Sequence, residues 1–278
     1  MKPYLSICSI YRDHAAYLRE WIEFHLLVGV ERFFLYDNES SDDHELVLAP
    51  YVAKGIVVVH PWPSPATSPR GAPWGLVPAF NDCLERHRQD SRWIAFLDID
   101  EFVFSPTGRP LPEVLRGFEE WPGVCMSRVD FGTSGHRTTP AGLVIESYTR
   151  RRSYPEGSWE LVKSVVDPAR TAECFNAHRF LYREGVAVDE NGVPFQGERV
   201  NRGEVLLRLL RVNHYVTKSE EELRRKHEQW DAAGHDRPVF DETMLESLCV
   251  EQDETIGMYL PALRRALTPE LEGKPGRL

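Results

Sequence analysis

Short apolar runs and helical segments alternate through the first hundred residues of this 278-residue chain, and no other feature restricts its fold as much. Leu5 to Ile10 reads as an apolar strand. Tyr17 to Val28 reads as a helix, with Leu18, Ile22, His25 and Leu26 on one side at helical spacing. Arg32 to Tyr36 is a second strand, ending at Asp37-Asn38. Glu45 to Lys54 is helical and is closed by Gly55, as a glycine cap closes a helix. Ile56 to His60 is a third strand, followed by a loop carrying Pro61, Pro63, Pro65, Pro69 and Pro73. Leu76 to Arg86 is helical, and Trp93 to Leu97 is a fourth strand running into Asp98. Such alternation predicts an α/β fold, a mostly parallel central sheet with helices on both faces. Sheets of this kind bind ligands at the carboxyl ends of their strands. Polar residues collect at those ends: Tyr11-Arg12-Asp13, Asp37-Asn38, His60 and Asp98-Ile99-Asp100.

The length suits one large domain over 1–266 with a loose tail at 267–278. Its first half runs to about residue 105 and its second covers about 106–266. In the second half, Gly123 to Phe131 and Leu143 to Tyr148 read as strands around the loop Gly132-Thr133-Ser134-Gly135-His136. Trp159 to Val166 and Cys174 to Leu181 read as extended, and Glu190-Asn191-Gly192 as a tight turn. Leu206 to Tyr215 suits strand or helix. A charged helix is expected over 219–234, opened by Ser219 with Glu222 in a capping box, and further helix up to Ala266.

The formal net charge of −10 argues against tracking a phosphate backbone, so nucleic acid is not expected as a partner. Arg150-Arg151-Arg152 is a local cluster that suits a small anion. The five cysteines are odd in number and form no CxxC pair, which excludes zinc-finger and disulfide-framework readings. Reduced thiols, no signal-peptide stretch and no apolar run of membrane-span length lead us to expect a cytoplasmic protein. Peripheral docking on a membrane through a partner stays compatible with that reading.

The chemistry concentrates in Trp93-Ile94-Ala95-Phe96-Leu97-Asp98-Ile99-Asp100-Glu101-Phe102. In an extended chain Asp98 and Asp100 face one way and Ile99 faces the core. Two carboxylates so close repel unless a cation lies between them. Mn²⁺ and Mg²⁺ prefer oxygen ligands and bridge diphosphates, so a metal acting as Lewis acid on a leaving nucleotide diphosphate is expected. A solvated acidic turn is the plain alternative.

Several blocks resemble glycosyltransferase family 92 and its bacterial family 2-like relatives. They are Ser9-Ile10-Tyr11-Arg12-Asp13 with Tyr17 to His25, Phe34 to Asp42, Leu97-Asp98-Ile99-Asp100-Glu101-Phe102, Phe131 to His136, and Val212-Asn213-His214-Tyr215-Val216-Thr217-Lys218-Ser219. The resemblance spans roughly residues 5–230. It implies a GT-A type, Rossmann-like fold, a nucleotide-sugar donor such as a UDP-sugar, and an inverting transfer to a glycan or polysaccharide acceptor, with a lean towards galactose. Many relatives read Arg-Asn-Glu where this chain has Arg12-Asp13-His14, so His14 receives no role.

Roles follow for single positions, those of His214, Asp37, Asn38 and Arg12 from that resemblance and the others from residue type. His214 completes a metal site with Asp98 and Asp100; a core-bonded histidine is the alternative. Asp37 and Asn38 meet the nucleoside, and Arg12 the base or diphosphate, although Asp-Asn pairs also simply form turns. Lys163 or Lys218 suits phosphate oxygens as a point charge, against the ordinary fate of a surface lysine. Inversion needs a carboxylate to take the acceptor proton. Asp130, Glu146 and Glu101 are the three candidates, unranked. The Gly132–Gly135 loop suits close approach to a sugar. Trp62 and Trp74 suit stacking on sugar rings better than Trp159 does. The proline-rich loop suits a lid.

Two other classes share these features. A metal-dependent phosphohydrolase or nucleotidyltransferase would use Asp98 and Asp100, but the sequence has neither GxxxxGK[ST] nor GxGxxG. A non-catalytic nucleotide- or carbohydrate-binding protein on a degenerate fold would have no reason to keep Asp98, Asp100 and His214.

Overall fold

The structure is a computed structural model that describes residues 2–63, 75–155, 160–195, 197–200, 206–232 and 241–268. Its first half comprises β1 (Leu5–Tyr11), α1 (Ala15–Leu27), β2 (Arg32–Asp37), α2 (His44–Ala53), β3 (Val57–Pro61), α3 (Leu76–Arg86), β4 (Trp93–Phe96) and β5 (Glu101–Phe104). Next come α4 (Leu111–Leu115), β6 (Gly123–Phe131), α5 (Val144–Ser147), β7 (Arg150–Arg151), β8 (Glu160–Val166), β9 (Thr171–Asn176) and β10 (Arg179–Tyr182). The rest is β11 (Ala187–Val188), β12 (Pro194–Phe195), β13 (Arg199–Val200), β14 (Arg211–Tyr215), α6 (Glu220–Ala232), α7 (Glu242–Ser247), β15 (Glu251–Gln252) and α8 (Leu260–Leu267).

Strand β1 pairs in parallel with β2 and β4, and β3 pairs in parallel beyond β2. These strands are apolar on both faces, and their side chains alternate between two cores. Ile7, Phe33, Leu35 and Ala95 pack with Leu18, Trp21 and Ile22 of α1. Cys8, Phe34, Tyr36 and Phe96 pack with Val77, Phe80 and Leu84 of α3 on the opposite face. The expected three layers, helix on sheet on helix, are therefore present. Gly55 closes α2 with φ +68, the left-handed conformation a glycine cap supplies.

The sheet continues into the second half of the chain. Strand β8 runs antiparallel to β4 and to β6, and β14 lies between β6, which it parallels, and β5, which it opposes. One sheet thus carries both halves, and its carboxyl edge gathers residues from β1, β2, β4, β5, β6 and β14. Among the described residues no helix is long and apolar enough to cross a membrane.

Three local expectations are corrected. Leu143 to Tyr148 is not a strand: Val144–Ser147 forms one helical turn, because the buried Glu20 carboxylate accepts the Val144 and Ile145 N–H groups at 2.9 and 3.2 Å. Asp98 to Asp100 is not extended but a turn, closed by Glu101 N donating to Asp98 O at 3.0 Å. Of the two readings open for Leu206 to Tyr215, strand is the one present, over Arg211–Tyr215. Between α7 and α8 the chain is not continuous helix, since β15 pairs there with β7. At the start of α6, Ser219 Oγ does accept Glu222 N at 3.1 Å, but the Glu222 carboxylate turns to Thr139 and Arg225. Trp74, Trp159, most of the proline-rich loop and the tail beyond Thr268 lie outside the described residues.

Candidate active site

The turn after β4 places Asp98 and Asp100 at the carboxyl edge of the sheet, while Ile99 is buried in the core. Beneath them lies a chain of opposite charges. Lys163 of β8 is 0% exposed, and its Nζ lies 2.8 Å from Asp98 Oδ2 and 3.0 Å from Glu101 Oε2. Glu101 Oε2 also accepts Asp98 N at 2.9 Å, which fixes the turn. Arg128 of β6 reaches Glu101 Oε1 at 3.7 Å and Asp130 Oδ1 at 3.3 Å. Burial works against the Asp98 charge, but Lys163 outweighs it and holds the carboxyl below its usual value. For Glu101 burial wins over Lys163, and its carboxyl is raised.

Strand pairing produces the second half of the cluster. In β14, His214 lies opposite Glu101 of β5 and Asp130 of β6. Paired residues project to the same face, so His214 Nδ1 meets Asp130 Oδ1 at 2.8 Å. A carboxylate only accepts, so Nδ1 carries the hydrogen. His214 Nε2 then points at Asp100 Oδ1, 3.6 Å away. In the neutral imidazole that nitrogen is a lone pair facing a carboxylate oxygen, an arrangement relieved by a proton or a metal cation. Lys226 of α6 reaches the other oxygen, Asp100 Oδ2, at 3.2 Å. Burial disfavours the Asp100 charge, yet Lys226 and His214 outweigh it and depress the carboxyl strongly. Asp130 is held at about 2, burial being overcome by Arg128 and by the His214 bond.

Lys218 and His14 border the same carboxylate. Lys218 is 8% exposed, has φ +49, and sets its ammonium 4.3 Å above the Tyr17 ring. Burial lowers it, against the pull of Asp100. His14 bonds its own turn through Nδ1 to Arg12 O at 2.6 Å; burial and then Lys218 favour its neutral form.

The first two strands end in a separate, stitched pair of turns. Asp13 accepts Ser41 N, and Asp42 caps α1 by accepting Ala15 N at 2.7 Å. Asp37 Oδ1 accepts Ser40 N, and its Oδ2 lies 3.6 Å from His44 Nε2. Asn38 is 1% exposed and donates to Trp62 O, while its Oδ1 is buried with no hydrogen-bond partner. That orphan acceptor, beside a half-buried Trp62, suits an incoming donor group such as a base N–H. Arg12, on the same edge, lies 3.8 Å from Asp13.

Of the expected site residues, the structure brings together Asp98, Asp100, Glu101, Asp130, Lys163, Lys218 and His214. It keeps Glu146 apart, on α5 and paired with Arg264 of α8. Lys163 is consumed by the carboxylates above it and is no surface lysine. Glu101 is 0% exposed and holds the turn. Gly132 is needed for a contact within the chain: a Cβ there would lie 2.5 Å from Cys249 Sγ and 2.8 Å from Leu248 Cβ. Arg128 and Lys226 were not anticipated. Lys226 follows Ser219 by about two helical turns, a spacing that reaches back over the helix start; Arg128 two residues before Asp130 is the strand equivalent.

The donor set fits a hard or borderline divalent cation: two carboxylates and an imidazole whose other nitrogen is already fixed. Asp100 and His214 face one another, and Lys163 engages Asp98 through Oδ2. Among the described residues no three such side chains yet converge on one point, so Asp98 would complete the set by rotating.

Residues 4–231 match glycosyltransferase family 92. A family 92 protein of Ricinus communis is 32% identical over 222 residues, 77% of this chain and 36% of its own length. A galactan β-1,4-galactosyltransferase of Arabidopsis thaliana is 25% identical over 260 residues, 89% of this chain and 47% of its own length. The chain spans about a third of the length of the family 92 relatives it matches. A crystal structure of Mycobacterium tuberculosis glucosyl-3-phosphoglycerate synthase with Mn²⁺ and UDP overlaps at TM-score 0.36 and 14% identity over 73% of each chain, too loosely to carry an argument. The sequence match begins just before β1 and ends within α6, so it takes in every residue of the charged cluster from His14 to Lys226; the chain belongs to glycosyltransferase family 92.

Proposed function

We propose that the chain transfers a sugar from a nucleotide-sugar donor, a UDP-sugar, to a hydroxyl of a glycan or polysaccharide acceptor, with Mn²⁺ or Mg²⁺ held by Asp98, Asp100 and His214. One observation carries the reading: a carboxylate oxygen and a fixed imidazole lone pair face one another 3.6 Å apart at the carboxyl edge of the mixed sheet, the edge where α/β sheets bind ligands. Family membership supports the class of reaction, and the galactan galactosyltransferase relative supports galactose as the first sugar to try.

Bound there, the cation supplies Lewis-acid stabilisation of charge on the departing diphosphate. The chain's own residues do the rest. Asp98 and Asp100 are kept ionised by Lys163 and Lys226, so they present charge without a proton to lose. Lys218, four residues after His214, offers phosphate oxygens an ammonium that burial has stripped of most of its water. Asp37 and the orphan Asn38 Oδ1 receive the nucleoside. The transfer is proposed to invert in a single displacement: the acceptor oxygen bonds the anomeric carbon as the bond to the nucleotide diphosphate breaks, and the hydroxyl proton passes to a carboxylate or to solvent.

Calorimetric titration with UDP, with and without Mn²⁺, tests the reading. Micromolar binding that requires Mn²⁺ and disappears in Asp100→Ala, with the melting temperature kept, is the expected result. A wild-type protein that binds no UDP under any metal condition overturns it.

A further inference from the structure

We infer that Asp130 is a positioning residue, which orients His214 for a divalent cation. The inference rests on the metal reading proposed above and goes beyond it by assigning the residue behind the ligand.

Three observations carry it. First, Asp130 Oδ1 is engaged twice, by His214 Nδ1 at 2.8 Å and by Arg128 Nε at 3.3 Å. Second, the backbone of Asp130 is pinned as well: its N–H donates to Tyr154 Oη at 3.0 Å, and β6 pairs in register with β14 through this residue. Third, the bond to Nδ1 leaves Nε2 as the nitrogen aimed at Asp100 Oδ1. A histidine that binds a metal through one nitrogen commonly donates its other N–H to a carboxylate, which sets tautomer and ring orientation.

The test reads metal binding directly, without donor or acceptor. Free Mn²⁺ is followed by electron paramagnetic resonance while each protein is titrated: wild type, Asp130→Ala, Asp130→Asn, His214→Ala and the double variant Asp130→Ala/His214→Ala. Asp130→Ala is expected to weaken Mn²⁺ binding about 10- to 100-fold. Asp130→Asn keeps an oxygen that accepts the Nδ1 hydrogen, so most of the affinity should return. In the His214→Ala background, adding Asp130→Ala should cost nothing further, since its effect passes through the imidazole. Melting temperatures identify any variant that fails to fold, in which case Asp130→Asn and the double variant decide. Mn²⁺ affinity unchanged in Asp130→Ala while His214→Ala loses it overturns this inference alone. A wild-type protein that binds no Mn²⁺ overturns the metal reading and this inference with it.

Discussion

Lys163 shows what a single residue contributes here. Its ammonium is fully buried between Asp98 and Glu101, and Glu101 is fully buried as well. Removing one partner of such a pair strands a charge in a poor solvent for it. Lys163→Met is therefore expected to destabilise the protein by about 3–5 kcal/mol, read as a lower midpoint in urea. Adding Glu101→Gln should recover part of the loss, because the stranded charge is gone. A loss below about 1 kcal/mol would show that the pair is solvated or dispensable. The sequence made Asp98, Asp100 and His214 legible as candidates, the carboxylates because they follow an apolar strand. It could not give the place of Lys163. Val162-Lys163-Ser164 looks like any strand with one outward lysine, and only the antiparallel insertion of β8 between β4 and β6 turns that face towards the carboxylates. The buried place of Glu101 is hidden for the same reason, since its partners lie on strands far away in sequence.

At the scale of the element, α1 is fastened to the sheet by His25. Its Nδ1 donates to Trp21 O at 2.8 Å, and its Nε2 accepts the Val103 N–H of β5 at 3.2 Å. Burial pushes its pKa down to about 3. The unfolded chain keeps the ordinary value near 6.5. Below that value the unfolded state takes up a proton that the native imidazole refuses. The His25 contribution is therefore present above about pH 6.5 and is lost as the pH falls towards 3. Its share of the slope approaches about 1.4 kcal/mol per pH unit in that window. Urea unfolding of the wild type and of His25→Gln across pH 4–7 checks this, on the order of one proton's slope disappearing in the variant. An unchanged slope would place the titration elsewhere. The alternating elements of the first half were legible because a buried parallel strand and an amphipathic helix each write their period into the sequence. Leu143 to Tyr148 was not, because its apolar run fits either period. The carboxylate of Glu20, more than a hundred residues earlier, settles the matter by capping α5.

For the molecule as a whole, the question is where the fold ends. The family match stops at residue 231, yet residues 241–268 close onto the sheet. Leu248, Ile256 and Leu263 are buried, α8 packs on α1, and Leu248 with Cys249 presses on Gly132. Asp253 Oδ2 lies 2.8 Å from both Arg211 and Arg151, joining this segment to β14 and β7. Burial opposes the Asp253 charge, but Arg211 outweighs it and the carboxyl sits at about 2. Arg211 itself is only 3% exposed and stands three residues from His214. An uncompensated guanidinium in that position costs about 3–5 kcal/mol, so Asp253→Ala should lower stability by that order. The form of the transition matters more than its midpoint. If the segment is integral to one domain, far-ultraviolet dichroism and tryptophan fluorescence will shift together in Asp253→Ala, as one cooperative unit. If it is an appendage, a small early transition will separate from a main one that keeps its wild-type midpoint. We expect the first outcome. The strand that carries His214 also carries the arginine anchored by Asp253, so loosening the C-terminal segment should loosen the candidate metal site in the same transition.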